Sequence, residues 1–238
     1  MTTPDWLERT SLLMGPDKME RFRRAHVLVV GTGGVGAYAA EMLVRAGIGR
    51  LTLLDADRVQ PSNINRQLCA LHSTVGEEKV RVLGLRFKDI NPELDLTVRA
   101  EFLEEHSAGA LLDSAKFDFI VDAIDTIAPK CALIEEAMKR RIRIVSSMGG
   151  GAKTDISQVR FADLWETFHC GLSKAVRTRL KRDGMRRPLP VVFCAQQADP
   201  AALVQVEGER NKKTTTGTVS YMPAVFGCYL AQYVISRL

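Results

Sequence analysis

Residues 27 to 57 read VLVVGTGGVGAYAAEMLVRAGIGRLTLLDAD, and this stretch decides the fold. Four apolar residues, Val27 to Val30, end at Gly31, and further glycines follow at 33, 34 and 36. Ala39, Ala40, Leu43, Val44 and Ala46 then recur at helical spacing as far as Gly47 and Gly49. A second apolar strand, Leu51 to Leu54, delivers Asp55. Strand, glycine turn, helix, strand and acid in this order make a nucleotide seat. Gly31 permits the sharp turn, Gly33 and Gly34 let phosphate oxygens approach bare backbone, and Gly36 lets the helix lie close to the strand. The unpaired N–H groups that open this helix attract anions. Asp55 comes at about the ~20-residue distance of an acid that holds ribose hydroxyls. The motif serves NAD and ATP alike.

The rest of the chain keeps the rhythm. Helices are expected over 76–90, 107–112, 126–140 and 172–182, and strands over 94–98, 117–121, 143–147, 159–161 and 191–195. Such alternation predicts an α/β fold: a Rossmann-like, doubly wound, mostly parallel sheet with helices on both faces, plus a C-terminal α+β extension. Residues 1–24 read as a helical arm divided at Gly15-Pro16, 25–150 as the nucleotide-binding core and 151–238 as the extension, all in one structural domain. A short helix is expected over 64–70 and a mobile loop over 199–218. The apolar stretch from Val219 to Ile235 carries Pro223, Gly227 and Gln232. It reads as a buried terminal helix rather than a membrane span.

With 238 residues, 46% hydrophobic, 26% charged and a net charge of +5, the chain suits a soluble domain that favours polyanions mildly. Five cysteines, at 69, 131, 170, 194 and 228, include no C-x-x-C pair. That argues against a structural zinc or a disulfide framework and points to a reducing compartment, the cytoplasm. The opening MTTPDWLERT lacks the layout of a signal peptide. Cys194 and Cys228 read as packed thiols and His26 as structural, while His72 and His169 have no assigned role.

Charges after Asp55 bear on which nucleotide is bound. NINRQ (63–67) brings Arg66, VGEEKV (75–80) brings Lys79, and VDAIDT (121–126) brings Asp125 just past a strand end. Two cations converging on the strand carboxyl ends suit a triphosphate better than a dinucleotide. A carboxylate there is placed to hold Mg²⁺ on the phosphates. The competing readings are plain: Arg66 and Lys79 as solvated surface charges, Asp125 as a helix cap. An NAD-dependent oxidoreductase, or an inactive scaffold of the same fold, remains open on residues alone.

GTGGVG, LLDAD, SNINRQ, VGEEKV and DAIDT in this order resemble the E1-like ThiF/MoeB superfamily, whose members adenylate a carboxylate with ATP. The resemblance implies that Gly31, Gly33, Gly34 and Gly36 line the phosphates and that Asp55 binds the ribose. It implies Asp57 and Asn63 beside the nucleotide, Arg66, Gln67 and Lys79 on the triphosphate, and Asp125 on magnesium. It also implies a symmetric homodimer in which an arginine from the partner's N-terminal arm reaches the site, with Arg9 as the candidate here.

Within the superfamily, DAIDT followed by P-K, NRQLCALHSTVG, SSMGGGAKTD and YMPAVFG are similar to the tRNA threonylcarbamoyladenosine dehydratase branch. That likeness implies a tRNA substrate whose threonyl carboxylate is adenylated and then closed into a ring, and leaves room for sulfur-relay protein partners. The alternative member activates the C-terminus of a ubiquitin-like sulfur carrier; the missing paired cysteines weigh against it. A tRNA substrate in turn calls for a basic surface. Lys174, Arg177, Arg179, Lys181, Arg182, Arg186 and Arg187 face the single acid Asp183 in one run, with Lys212 and Lys213 beyond it.

Overall fold

The apolar run before Gly31 alternates between two buried layers, as a strand covered on both sides must. Val27 and Val29 join Leu51, Leu53 and Val121 in one hydrophobic cluster, and Leu28 and Val30 join Leu54 and Ile120 in another. In the computed structural model, which describes residues 4–205 and 214–238, this strand is β1 (His26–Val30). With it run β2 (Arg50–Leu54), β3 (Asp95–Arg99), β4 (Phe119–Asp122), β5 (Arg143–Ser147), β6 (Val159–Asp163) and β7 (Pro190–Cys194). They form one seven-stranded sheet in the order 3-2-1-4-5-7-6. Every neighbouring pair is parallel except β6 with β7. The mostly parallel, doubly wound α/β sheet expected from the sequence is therefore present, and the extension adds β6 and β7 to it.

Helices α1 (Glu8–Met14) and α2 (Pro16–Arg24) make the arm, parted at Gly15 as expected. Helices α3 (Gly36–Arg45), α4 (Lys79–Ile90) and α8 (Tyr221–Arg237) cover one face, while α5 (Ala108–Asp113), α6 (Ile127–Lys139) and α7 (Gly171–Arg182) cover the other. The chain leaves β1 toward β2 on one side, and β4 lies on the other side of β1. The strand order thus reverses between β1 and β4, and the crevice at their carboxyl ends is where such folds seat ligands.

The apolar terminal stretch is the buried helix α8, crossing directly over α3. A Cβ on Gly227 would lie 2.5 Å from the Val35 carbonyl oxygen and 2.7 Å from Tyr38 Cβ, so only glycine fits this crossing. Among the described residues no helix is long and apolar enough to cross a membrane.

Three local expectations change. Residues 64–70 do not form a helix: a 3-10 turn at Pro61–Asn63 is followed by single turns such as Arg66 N to Asn63 O and Ala70 N to Gln67 O. The segment instead passes over the glycine turn, where a Cβ on Gly34 would sit 3.4 Å from the Arg66 carbonyl oxygen. Helix α4 starts at Lys79 rather than Gly76, because Gly76 takes a φ of +92° and the Gly76 and Lys79 N–H groups bond to Val59 and Asp57. The ends of the expected loop over 199–218 pair as a ribbon, β8 (Leu203–Gln205) with β9 (Thr214–Thr216). Lys212 and Lys213 lie outside the described residues.

Candidate functional site

The glycine turn is the centre of the crevice. Gly31 has a φ of +85°, and a Cβ there would come 2.7 Å from the Ala123 carbonyl oxygen. A Cβ on Gly36 would collide with the Gly31 carbonyl oxygen at 1.8 Å. These two glycines bring α3 and the loop after β4 together, so the first N–H groups of α3 open on the crevice between them.

On the β2 side a chain of hydrogen bonds leads outward from the turn. Asp55 Oδ2 accepts from Thr32 N at 2.6 Å and from Thr32 Oγ1 at 3.1 Å, and its Oδ1 accepts from Asp57 N at 2.8 Å. Asp57 Oδ2 accepts from Lys79 Nζ at 2.7 Å. Lys79 is buried, with 5% of its side chain exposed, whereas 69% of the Asp57 side chain is exposed. Lys79 is no solvated surface charge; it is a buried ammonium whose carboxylate partner stands in water.

Arg66 and Gln67 close the same side from above. Gln67 is buried, its Nε2 3.6 Å from where a Cβ on Gly33 would be. Arg66 is half-buried and folded back on its own loop, donating to the Ser62 carbonyl at 2.9 Å and to Asn65 Oδ1 at 2.8 Å. Asn63 shapes that loop, its Oδ1 accepting from Gln60 N at 3.0 Å. Gly31, Gly33, Gly34, Gly36, Asp55, Asp57, Asn63, Arg66, Gln67 and Lys79 thus share one wall and floor.

The opposite wall is the loop after β4. Asp125 is exposed on it, directly before Thr126, the residue that opens α6. Beneath lies a pair that sequence reasoning missed. Asp122 and Lys130 both have wholly buried side chains, joined at 2.8 Å. Asp122 also accepts from Ser146 Oγ at 2.6 Å and from Ile124 N at 3.1 Å, and Lys130 Nζ donates to the Ile124 carbonyl at 2.9 Å. Both ends of Ile124 are therefore held, which fixes the loop that carries Asp125. A signal was in the sequence: Lys130 shares the apolar stripe of α6 with Ile134 and Ala137, where a lysine is exceptional. A third buried lysine, Lys153, follows the glycines at 149–151 and donates to the carbonyls of His169 at 3.0 Å and Cys194 at 2.6 Å. Burial pushes its ammonium below the usual lysine range.

Among the described residues no three His, Cys, Asp or Glu side chains gather to hold a metal ion. The donor set fits a magnesium held by the Asp125 carboxylate together with ligand phosphates, the manner in which this ion is commonly bound.

Not every expected residue lies here. Arg9 is exposed on α1, and the preceding Leu7 packs by Gly47, where a Cβ would sit 3.0 Å from Leu7 Cδ1. Gly47 follows α3 and precedes β2, so the arm sits at the amino end of the sheet and Arg9 cannot serve its own crevice. The basic run also divides. Arg177 Nη1 turns inward to the carbonyls of Leu164 and Thr167 and to Thr167 Oγ1. Arg179 pairs with Asp183 and Glu105, and Arg182 with Asp183. Lys174, Lys181, Arg186 and Arg187 remain exposed. Cys194 is buried as expected, but Cys228 is exposed.

A model of the ThiF family matches residues 7–238. The tRNA threonylcarbamoyladenosine dehydratase of Bacillus subtilis is 35% identical, over 97% of this chain and 93% of its own. The crystal structure of the Escherichia coli tRNA N6-threonylcarbamoyladenosine dehydratase in complex with ATP superposes with a TM-score of 0.89 at 32% identity, covering 100% of this chain and 96% of that one. The Escherichia coli molybdopterin-synthase adenylyltransferase is 31% identical over 65% of this chain and 61% of its own.

Proposed function

The chain belongs to the ThiF family, and from that premise we propose that it is an ATP-dependent tRNA threonylcarbamoyladenosine dehydratase. The observation that carries the reading is a buried lysine, Lys79, parked on the exposed Asp57 beside the glycine turn. Such an ammonium is already desolvated and can pass to a phosphate at little cost, because its present partner is rehydrated on release.

The chemistry follows from the problem a carboxylate poses, since its oxygen leaves badly. The threonyl carboxylate of the modified adenosine attacks the α-phosphorus of ATP, and pyrophosphate departs. The acyl group is now a mixed anhydride with AMP. A nucleophile of the same modified nucleoside attacks the acyl carbon, closing a ring, and AMP leaves with the former carboxylate oxygen. The sum is loss of one water, as the name of the relatives says. The glycine turn binds the phosphates through its backbone, Asp55 holds the ribose, and Lys79 and Arg66 meet the charge that builds on the triphosphate. Asp125 would hold magnesium, which supplies further neutralisation of that charge when bound. Ring closure is intramolecular, so proximity replaces an enzyme nucleophile and no cysteine is required.

Arg9 enters this scheme from a second copy, whose arm reaches across a homodimer. A cytoplasmic setting accords with the free cysteines. The test is purified protein with ATP, magnesium and total tRNA, followed by mass spectrometry of the nucleosides. A modified adenosine lighter by one water, formed with AMP, is expected, and Asp125→Ala is expected to lower the rate by about 10²-fold or more. ATP consumed only with a carrier protein ending in Gly-Gly would replace this reading with the sulfur-carrier one.

A further inference from the structure

The basic residues that are adjacent in sequence are not one patch in space. Helix α7 starts at the crevice rim: a Cβ on Gly149, just past β5, would lie 3.4 Å from Cys170 Sγ and 3.6 Å from Leu172 Cβ. It then runs back along the sheet for about 18 Å at ~1.5 Å per residue, and the chain enters β7 at the amino end. Lys174 therefore stands near the crevice, while Lys181, Arg186 and Arg187 stand at the far end of the molecule. Gly171, Ala175 and Thr178, together with Lys174, Arg179 and Arg182, line a groove of about 390 Å³ along α7.

At that far end a second basic segment meets the first. Arg187 Nη1 donates to the Met138 carbonyl at 3.4 Å, and the Arg187 carbonyl accepts from Trp165 Nε1 at 3.0 Å. The loop after α7 is thereby fixed against the end of α6. There the chain turns through Arg141 at a φ of +57°, its N–H on the Met138 carbonyl and the Ile142 N–H on the Ala137 carbonyl. Beyond the turn lies a groove of about 420 Å³ whose lining sets the charged residues Lys116, Asp118, Arg140, Arg141 and Arg143 among apolar ones. Arg140 is engaged by Asp113 and Glu136. Lys116, Arg141, Lys181 and Arg186 are exposed and have no acid in ion-pair reach among the described residues.

The geometry points to one continuous band, from Lys174 at the crevice rim past Lys181 and Arg186 to Arg141 and Lys116, that seats the phosphate backbone of a structured RNA while one of its nucleotides enters the crevice. The inference rests on the tRNA reading above and adds to it the surface that takes the stem. The cations come from three separate stretches of chain, and along α7 alone Lys174 and Lys181 lie about 10 Å apart at ~1.5 Å per residue, which suits an extended polyanion rather than a compact anion. Among the described residues, none of the exposed large hydrophobic side chains falls within 171–187, 139–143 or 114–118, which tells against insertion into a membrane surface. Recognition through backbone and shape, without base-reading groups along the band, is the usual mode for an RNA helix.

The experiment compares full-length wild type with Lys116→Glu/Arg141→Glu, Lys181→Glu/Arg186→Glu and, as a charge reversal away from the band, Arg21→Glu on α2. Filter binding of unmodified tRNA is measured over a salt series, with ATP affinity and tRNA turnover alongside. Each double variant is expected to bind tRNA about 10- to 100-fold more weakly and to lower the slope of log Kd against log salt by about two, as loss of two phosphate contacts requires. KM for tRNA rises, while kcat and ATP affinity stay at wild-type values and Arg21→Glu resembles wild type. Wild-type affinity and slope in both double variants would overturn the band and leave the tRNA reading intact. Absence of tRNA binding and turnover in the wild type would instead overturn the reading itself. Loss of binding to phosphatidylserine vesicles, with tRNA binding unchanged, would assign the band to a membrane surface and also overturn the inference.

Discussion

Two lysine–aspartate pairs flank the crevice, and they differ in one respect. Lys130 with Asp122, at 2.8 Å, is closed, with neither side chain exposed. Lys79 with Asp57, at 2.7 Å, is open, because the aspartate stands in water. Separating the closed pair would strand a buried carboxylate that also serves Ser146 and Ile124. Separating the open pair returns Asp57 to solvent and leaves an ammonium ready for another anion. The same two residue types thus make a fixed support on one side and an exchangeable charge on the other. What decides the role is the exposure of the acid, not of the lysine.

The largest effect is expected where the closed pair is broken. Lys130→Met should destabilise the fold by about 3–5 kcal/mol, the usual result of leaving a buried charge unpaired. Urea denaturation measures it, and a loss below about 1 kcal/mol would make the two pairs equivalent in stability.

Lys79→Met should invert that pattern. Its folding free energy is expected within about 1 kcal/mol of wild type, since Asp57 is exposed, while ATP-dependent turnover of tRNA falls about 10²- to 10³-fold. Equal turnover would remove Lys79 from the phosphate site. A large loss of stability would erase the distinction drawn here.

The smallest effect sharpens the comparison from the other end of β1. His26 is buried, with Nε2 2.9 Å from Thr52 Oγ1, and burial together with the nearby Arg50 charge pushes its imidazole below the usual value of 6.5. The folded protein therefore refuses a proton that the unfolded chain accepts. Stability is complete above pH 6.5 and declines as pH falls below it. Thermal melts at descending pH should show this decline, less steep in His26→Gln.

The sequence reveals much of this by local means. Strand, glycine turn and helix from Val27 to Asp55 are legible because period and turn chemistry reside in adjacent residues. Arg66, Lys79 and Asp125 are legible as ingredients because their motifs stand in order. The burial of Lys79 is not, since it depends on Asp57 and the turn at Gly76. Nor is the fate of the basic run, because Arg177 and Arg179 are engaged by Thr167 and Glu105, which belong to other segments. Residues 64–70 look helical because Ile64, Leu68 and Ala70 mimic a stripe, yet these side chains join the core cluster from a segment of single turns laid over Gly34.

The most direct test of the exchangeable charge is a crystal structure of the protein with magnesium and a non-hydrolysable ATP analogue. Lys79 Nζ should have left Asp57 and lie within hydrogen-bond distance of a phosphate oxygen, with the Asp122–Lys130 pair unmoved. Nucleotide bound in the crevice with Lys79 still on Asp57 and no phosphate near it would contradict the account.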